Sequence, residues 1–142
     1  MATRSNIAVQ RRDGTYKVIY CHWDGYPTGV GTRLINFYNS QELAEALVEP
    51  GDISYIEKRC DGAPGRHTSD TPVSDQTVYY GRDRGEEGTE GVVGNTLEEC
   101  NHPTMGGEYF YLWENRNWLI SDDDGEFVSL IDIIKKMHQI LV

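Results

Sequence analysis

The chain lacks any long hydrophobic run: no stretch of its 142 residues approaches the roughly 18 consecutive apolar side chains of a membrane-crossing helix. Met1 to Arg12 is polar and basic, without the apolar segment of a secretory signal, so a cytosolic location free of membrane contact is expected. Cysteine is also scarce. Cys21, Cys60 and Cys100 are odd in number and form no Cys-x-x-Cys pair, which predicts free thiols and not a disulfide framework. Positive charge is in deficit too, with 13 Lys and Arg against 23 Asp and Glu, a net charge of −10. That balance repels a phosphate backbone unless basic side chains gather on one face, so direct nucleic-acid binding is not expected. It favours encounter with a basic protein, including one whose own surface holds nucleic acid.

What the chain does have is core material. Hydrophobic residues make up 38% and aromatics 11%, with nine Tyr and three Trp, enough for one ordinary domain spanning residues 1–142. Asn6 to Gln10 and Tyr16 to Trp23 are rich in Ile, Val and Tyr and are separated by Asp13-Gly14, a two-residue turn signal, so they predict an N-terminal β-hairpin. The second arm is apolar at both odd and even positions, which places it centrally in a sheet. Three Gly and a Pro between Asp24 and Gly31 predict an irregular loop over the sheet end. Leu34, Ile35, Phe37 and Tyr38 then fit one helix, and Asn39-Ser40 caps a second through Leu43, Ala44 and Leu47 that ends at Pro50-Gly51.

Asp52 is expected to cap a short turn through Ile53, Tyr55 and Ile56, and Gln76 to Gly81 reads as a short strand. Long surface loops are expected near residues 61–75 and 82–95, where Gly, Ser, Thr and charged residues dominate. Thr96-Leu97-Glu98-Glu99 has capping-box spacing. Glu108 to Trp113 and Trp118 to Ser121, joined through Asn115-Arg116-Asn117, predict an aromatic hairpin, and Asp124-Gly125 turns the chain toward Phe127. Leu130, Ile134, Met137 and Leu141 recur at helical spacing, with Lys135, Lys136 and His138 outside the stripe. The fold class is therefore α+β: the N-terminal hairpin and C-terminal antiparallel strands in one sheet, packed by two or three helices that include a C-terminal amphipathic one.

The segment Ile19-Tyr20-Cys21-His22-Trp23-Asp24-Gly25-Tyr26-Pro27, followed by Gly29, Gly31, Leu34 and Tyr38, resembles a motif of small, mostly uncharacterised phage and prophage proteins. Tyr80-Gly81-Arg82-Asp83-Arg84-Gly85-Glu86 is similar to a second segment of that group. The resemblance implies a viral or mobile-element setting. Small acidic phage proteins in such a setting often inhibit host defence, in the manner of anti-CRISPR or anti-restriction proteins. The leading expectation is therefore an accessory protein that binds a host protein with a basic, nucleic-acid-handling surface. Its docking side chains would be Asp83, Glu86, Glu87, Glu90, Glu98, Glu99, Asp122, Asp123, Asp124 and Glu126.

The alternative expectation is a small-ligand binder or enzyme with a pocket for a nucleotide or phosphate between the two motif loops. His22, Trp23, Asp24 and Tyr26 would supply stacking and hydrogen bonds, and Arg82 and Arg84 a fork for an anion. No nucleophile motif accompanies His22 and Asp24, so binding is favoured over catalysis and no cofactor is expected. For zinc, Cys21, His22, Cys60, His67, Cys100 and His102 are the available ligand types, but their spacing forms no knuckle. Asp122-Asp123-Asp124-Gly125 lacks the spaced ligands of a calcium loop and reads as an exposed turn. A third expectation gives the many Tyr and Trp to a homo-oligomer interface.

Overall fold

The computed structural model describes residues 2–62, 74–101, 107–121 and 125–141. The predicted hairpin consists of β1 (Ser5–Gln10) and β2 (Tyr16–Cys21), paired antiparallel from Ser5↔Cys21 to Gln10↔Tyr16. Asp13-Gly14 lies at its tip within a connection longer than two residues. The Arg11 amide donates to the Thr15 carbonyl at 2.7 Å, and the Asp13 carboxylate accepts the Thr15 amide and hydroxyl at 2.9 and 2.6 Å. β2 is central, as its two apolar faces require: Ile19 and Cys21 enter the main core and Val18 a smaller cluster on the other face.

The stretch after Asp52 departs from the expected short turn. Ile53–Tyr55 is a strand, β3, parallel to β2 at Cys21↔Ile53 and antiparallel to β4 (Val78–Tyr79). The turn is pre-empted because the Asp52 carboxylate accepts the Tyr20 amide at 2.9 Å, which aligns the following residues with the strand edge. The strand expected to reach Gly81 stops at Tyr79, where a short helix (Tyr80–Arg84) takes over and ends at Gly85. The expected loop at 82–95 also contains a three-residue strand, β5 (Val92–Gly94), antiparallel to the first half of β2. Of the loop expected at 61–75, residues 63–73 lie outside the described residues.

β6 (Tyr109–Glu114), β7 (Asn117–Ser121) and β8 (Phe127–Ser129) form the C-terminal meander. The β6–β7 turn is Asn115-Arg116, both at positive φ (53° and 64°), the mirror-image geometry that matches the twist of a hairpin. β6 lies parallel to β1, so the sheet runs β4-β3-β2-β1-β6-β7-β8 with β5 also on β2.

Helices cover one face. The loop expected to be irregular contains a π-helical turn, Pro27–Gly31, that leads directly into α1 (Thr32–Phe37). α2 (Gln41–Val48) is capped as predicted, the Ser40 hydroxyl accepting the Leu43 amide. The helix at Tyr80–Arg84 is α3, and α4 (Leu130–Leu141) closes the chain with Lys135, Lys136 and His138 exposed. Leu34, Tyr38, Leu47 and Leu130 pack on Ile7, Ile19, Ile53, Tyr111, Trp113 and Trp118 of the sheet. Each large side chain so buried contributes about 1.5–3 kcal/mol. The Trp118 indole N–H donates to the Tyr38 carbonyl at 3.0 Å and the Trp113 indole to Gln41 Oε1 at 2.8 Å, so neither ring is buried at the cost of a lost hydrogen bond. On the opposite face Leu97 and Cys100 cover Ala8, Val18 and Leu112. Among the described residues no helix is long and apolar enough to cross a membrane.

Candidate functional site

The His-Trp-Asp-Gly-Tyr loop begins where β2 ends. The amides of His22 and Trp23 donate to the Ile53 and Ser54 carbonyls, each at 3.0 Å, so the chain follows β3 for two more residues before it turns. Asp24 turns it at φ 57°, and its carbonyl accepts the Val30 amide at 2.8 Å. A Cβ on Gly29 would stand 2.3 Å from that carbonyl oxygen, so only glycine allows the π-helical turn to fold back this closely. Gly25 is held from both sides: its amide donates to the Thr3 carbonyl at 2.8 Å, and its carbonyl accepts the buried Tyr111 hydroxyl at 2.6 Å. Much of the motif is thus spent on fastening a loop over the sheet end. Trp23 and Tyr26 remain 44% and 39% exposed. The Tyr26 hydroxyl donates to the Asp24 carboxylate, His22 Nδ1 shares a 2.6 Å hydrogen bond with the Tyr20 hydroxyl, and the Trp23 ring meets His22 edge-on at 4.8 Å.

The second motif loop divides. Arg82 is internal: its Nε and Nη2 donate to both Asp83 carboxylate oxygens at 2.9 and 3.0 Å, its Nη1 to the Cys60 carbonyl at 2.6 Å, and its plane lies on the Tyr79 ring. Asp83 also accepts the Tyr79 amide at 2.8 Å and is only 2% exposed. Asp83, expected on the docking surface, is therefore a buried brace, and Arg82 has no free fork for a ligand. Arg84 points out and stacks on Tyr80 at 5.3 Å.

The expected acids that do reach the surface are Glu86, Glu87, Glu90, Glu98, Glu99 and Glu126. The first five surround β5. Glu86, Glu87 and Glu90 precede it, and Glu98 and Glu99 follow in a turn where the Glu99 amide donates to the Thr96 hydroxyl at 3.3 Å. The Glu99 carboxylate reaches back to the Asn95 amide, one residue before the cap position that box spacing predicts. Glu49 joins the same edge, because the chain after α2 is drawn against residues 89–90: the Asp52 amide donates to the Thr89 carbonyl at 2.8 Å. Gly51 permits this at φ 101°, where a Cβ would lie 2.1 Å from that oxygen. Beneath them Lys17 is buried, which lowers its pKa, while Glu49, Asp52 and Glu90 pull it back up; its Nζ donates to the Glu49 carbonyl at 2.9 Å.

Ion pairs among the described residues join Arg12 to Glu45, Arg33 to Glu57 and Arg82 to Asp83; none uses Glu49, Glu86, Glu87, Glu90, Glu98 or Glu99. Val93, in β5 between Glu90 and Glu98 in the chain, is 50% exposed. Sequence reasoning missed Glu49 and Val93; the only signal was the pair Val92-Val93 inside a charged stretch. Asp122, Asp123 and Asp124 lie outside the described residues.

Three surface clefts, of about 550, 500 and 490 Å³, have linings that include none of His22, Trp23, Asp24, Tyr26, Arg82 or Arg84. Among the described residues no three His, Cys, Asp or Glu side chains come together as metal ligands, and His67 and His102 lie outside those residues. Cys21 belongs to the helix-side core and Cys100 to the opposite cluster. Burial pushes the Cys21 thiol up to about 12 and raises Cys60 and Cys100, so all three are held as thiols, poor nucleophiles, at neutral pH. No family model, no curated protein and no solved structure matches the chain.

Proposed function

We propose that the protein acts by binding, docking the acidic edge around β5 on a basic surface of a nucleic-acid-handling protein and so obstructing it, as an inhibitor of host defence of the anti-CRISPR or anti-restriction type would. The observation that carries this reading is the set of exposed carboxylates that flank β5 in the chain, Glu86, Glu87, Glu90, Glu98 and Glu99, with Glu49 drawn to residues 89–90, none of them in an ion pair among the described residues, and Val93 of β5 half exposed. Exposed carboxylates that outnumber the one buried cation beneath them, Lys17, are complementary to a cationic groove, and they steer association. The phage-like motif points to a host protein as the partner.

Affinity capture of the tagged chain from a phage-infected or lysogenic bacterial host, with mass spectrometry of what is retained, tests the reading. A stoichiometric nucleic-acid-handling protein is expected, and it should be lost when Glu86, Glu87 and Glu90 are together replaced by Lys. Retention of the same partner by that variant would sink the acidic edge as the contact.

A second reading, a small planar ligand, is favoured by one observation: Tyr20, His22 and Trp23 form a connected, partly exposed aromatic cluster. It calls for stacking on Trp23 and not for the internal Arg82. Unchanged Trp fluorescence across a panel of nucleotides would remove it.

A further inference from the structure

At the end of the sheet away from the His-Trp-Asp-Gly-Tyr loop, two turns stand side by side because β1 and β6 run parallel, in register through Val9↔Trp113. That pairing sets Arg11 and Arg12, just beyond β1, beside Arg116, just beyond β6. A cleft of about 500 Å³ opens between the two turns and is lined by all three arginines. Gln41 also lines it, and its amide is fully engaged: Nε2 donates to the Gln10 carbonyl and to Glu45, and Oε1 accepts the Trp113 indole N–H. The cleft is thus tied to a residue of the core.

The charge of this cleft runs against that of the chain. The neighbouring carboxylates, none of which lines the cleft, have partners of their own: Glu45 lies 3.5 Å from Arg12 and accepts from Gln41, Asp13 accepts the Thr15 amide and hydroxyl, and Glu114, just before the Asn115-Arg116 turn, accepts the Tyr16 hydroxyl. Arg11 uses its Nε on the Thr15 hydroxyl at 3.0 Å, which leaves its terminal nitrogens for another acceptor. No hydrogen bond or ion pair engages the Arg116 side chain among the described residues, and its backbone sits at φ 64°, the position of a mirror-image turn at which glycine is preferred.

We propose that this cleft binds a phosphate group, either of a free nucleotide or of a nucleic-acid strand. A planar carboxylate is satisfied by one guanidinium fork, whereas forks arriving from two chain segments suit the divergent oxygens of a tetrahedral oxyanion. The overall negative charge opposes general attraction to nucleic acid, and the three arginines that line the cleft offset it locally.

The test titrates the whole chain with pyrophosphate and, separately, with a short single-stranded DNA oligonucleotide, read by calorimetry and by amide NMR shifts at Arg11, Arg12, Gly14 and Arg116. Arg116→Gly, which should fold at least as stably, and Arg12→Gln are each expected to weaken binding about tenfold or more. Binding of both probes assigns the cleft to free phosphates, and binding of the oligonucleotide alone assigns it to a strand; either supports the proposal. Binding of neither probe, or binding that both variants leave unchanged, overturns it. The measurement uses the chain without a partner, so its outcome is separate from that of the β5 docking edge.

Discussion

Arg82 and Asp83, adjacent in sequence, close on each other in space through two hydrogen bonds of 2.9 and 3.0 Å, and together they tie α3 to the Tyr79 amide and the Cys60 carbonyl. The pair braces the side of the sheet from which the acidic edge projects. Removing one partner of a buried pair leaves an uncompensated charge, so Asp83→Ala is expected to cost about 3 kcal/mol of stability. Glu86→Ala, on the surface nearby, should shift it by less than about 0.5 kcal/mol. Urea denaturation of the two variants distinguishes them.

The loop over the sheet end predicts its own pair of effects. Gly29→Ala places a Cβ against the Asp24 carbonyl and should destabilise by about 1–3 kcal/mol, as overpacking does. Tyr111→Phe removes the hydroxyl that satisfies the buried Gly25 carbonyl and should cost about 1 kcal/mol. Thermal unfolding of each variant checks both values, and equal stability of Gly29→Ala would mean that the turn relaxes without that contact.

Alkali should unfold the protein. A hydrogen bond to Glu114 raises Tyr16 to about 12, and burial raises Tyr38, Tyr79 and Tyr111 above the usual 10.0 and Cys21 from 9.0 to about 12. Groups raised in the folded state retain protons that the unfolded chain has released, so their stabilisation is complete below about pH 9 and falls as pH climbs toward 12. Lys17, lowered by burial, works in the opposite sense over part of that range, but it is one group against the several raised phenols and thiols. Denaturant midpoints measured from pH 8 upward, with tyrosinate absorbance followed in parallel, should fall as the phenols ionise.

Salt reports on the acidic edge. If exposed carboxylates steer the protein to a basic partner, the association rate with the captured partner falls steeply with ionic strength. Replacing Glu86, Glu87 and Glu90 by Gln should flatten that dependence, as stopped-flow or surface-based kinetics would show. A slope identical to that of the unaltered protein would remove these residues from the encounter.

The sequence by itself determined the parts with a repeating pattern. Runs of β-branched and aromatic residues between turn signals announced β1, β2, β6 and β7, Ser40 announced α2, and steps of three and four announced α4, because that spacing puts its apolar residues on one face. The three-residue strands β3 and β5 are too short to carry a period; they exist because β2 offers an unpaired edge on which Ile53 and Val92–Gly94 settle. Burial of Asp83 was equally invisible. An Arg-Asp-Arg run has the composition of a solvated loop, and only carbonyls and an amide supplied by Cys60, Thr77 and Tyr79 make an interior place for it. Tertiary structure alone brought Glu49 to β5 and Arg11 and Arg12 to Arg116, residues separated by long stretches of chain. Strand pairing is a long-range choice, made by which edges fit together, and no local pattern encodes which charges will meet there.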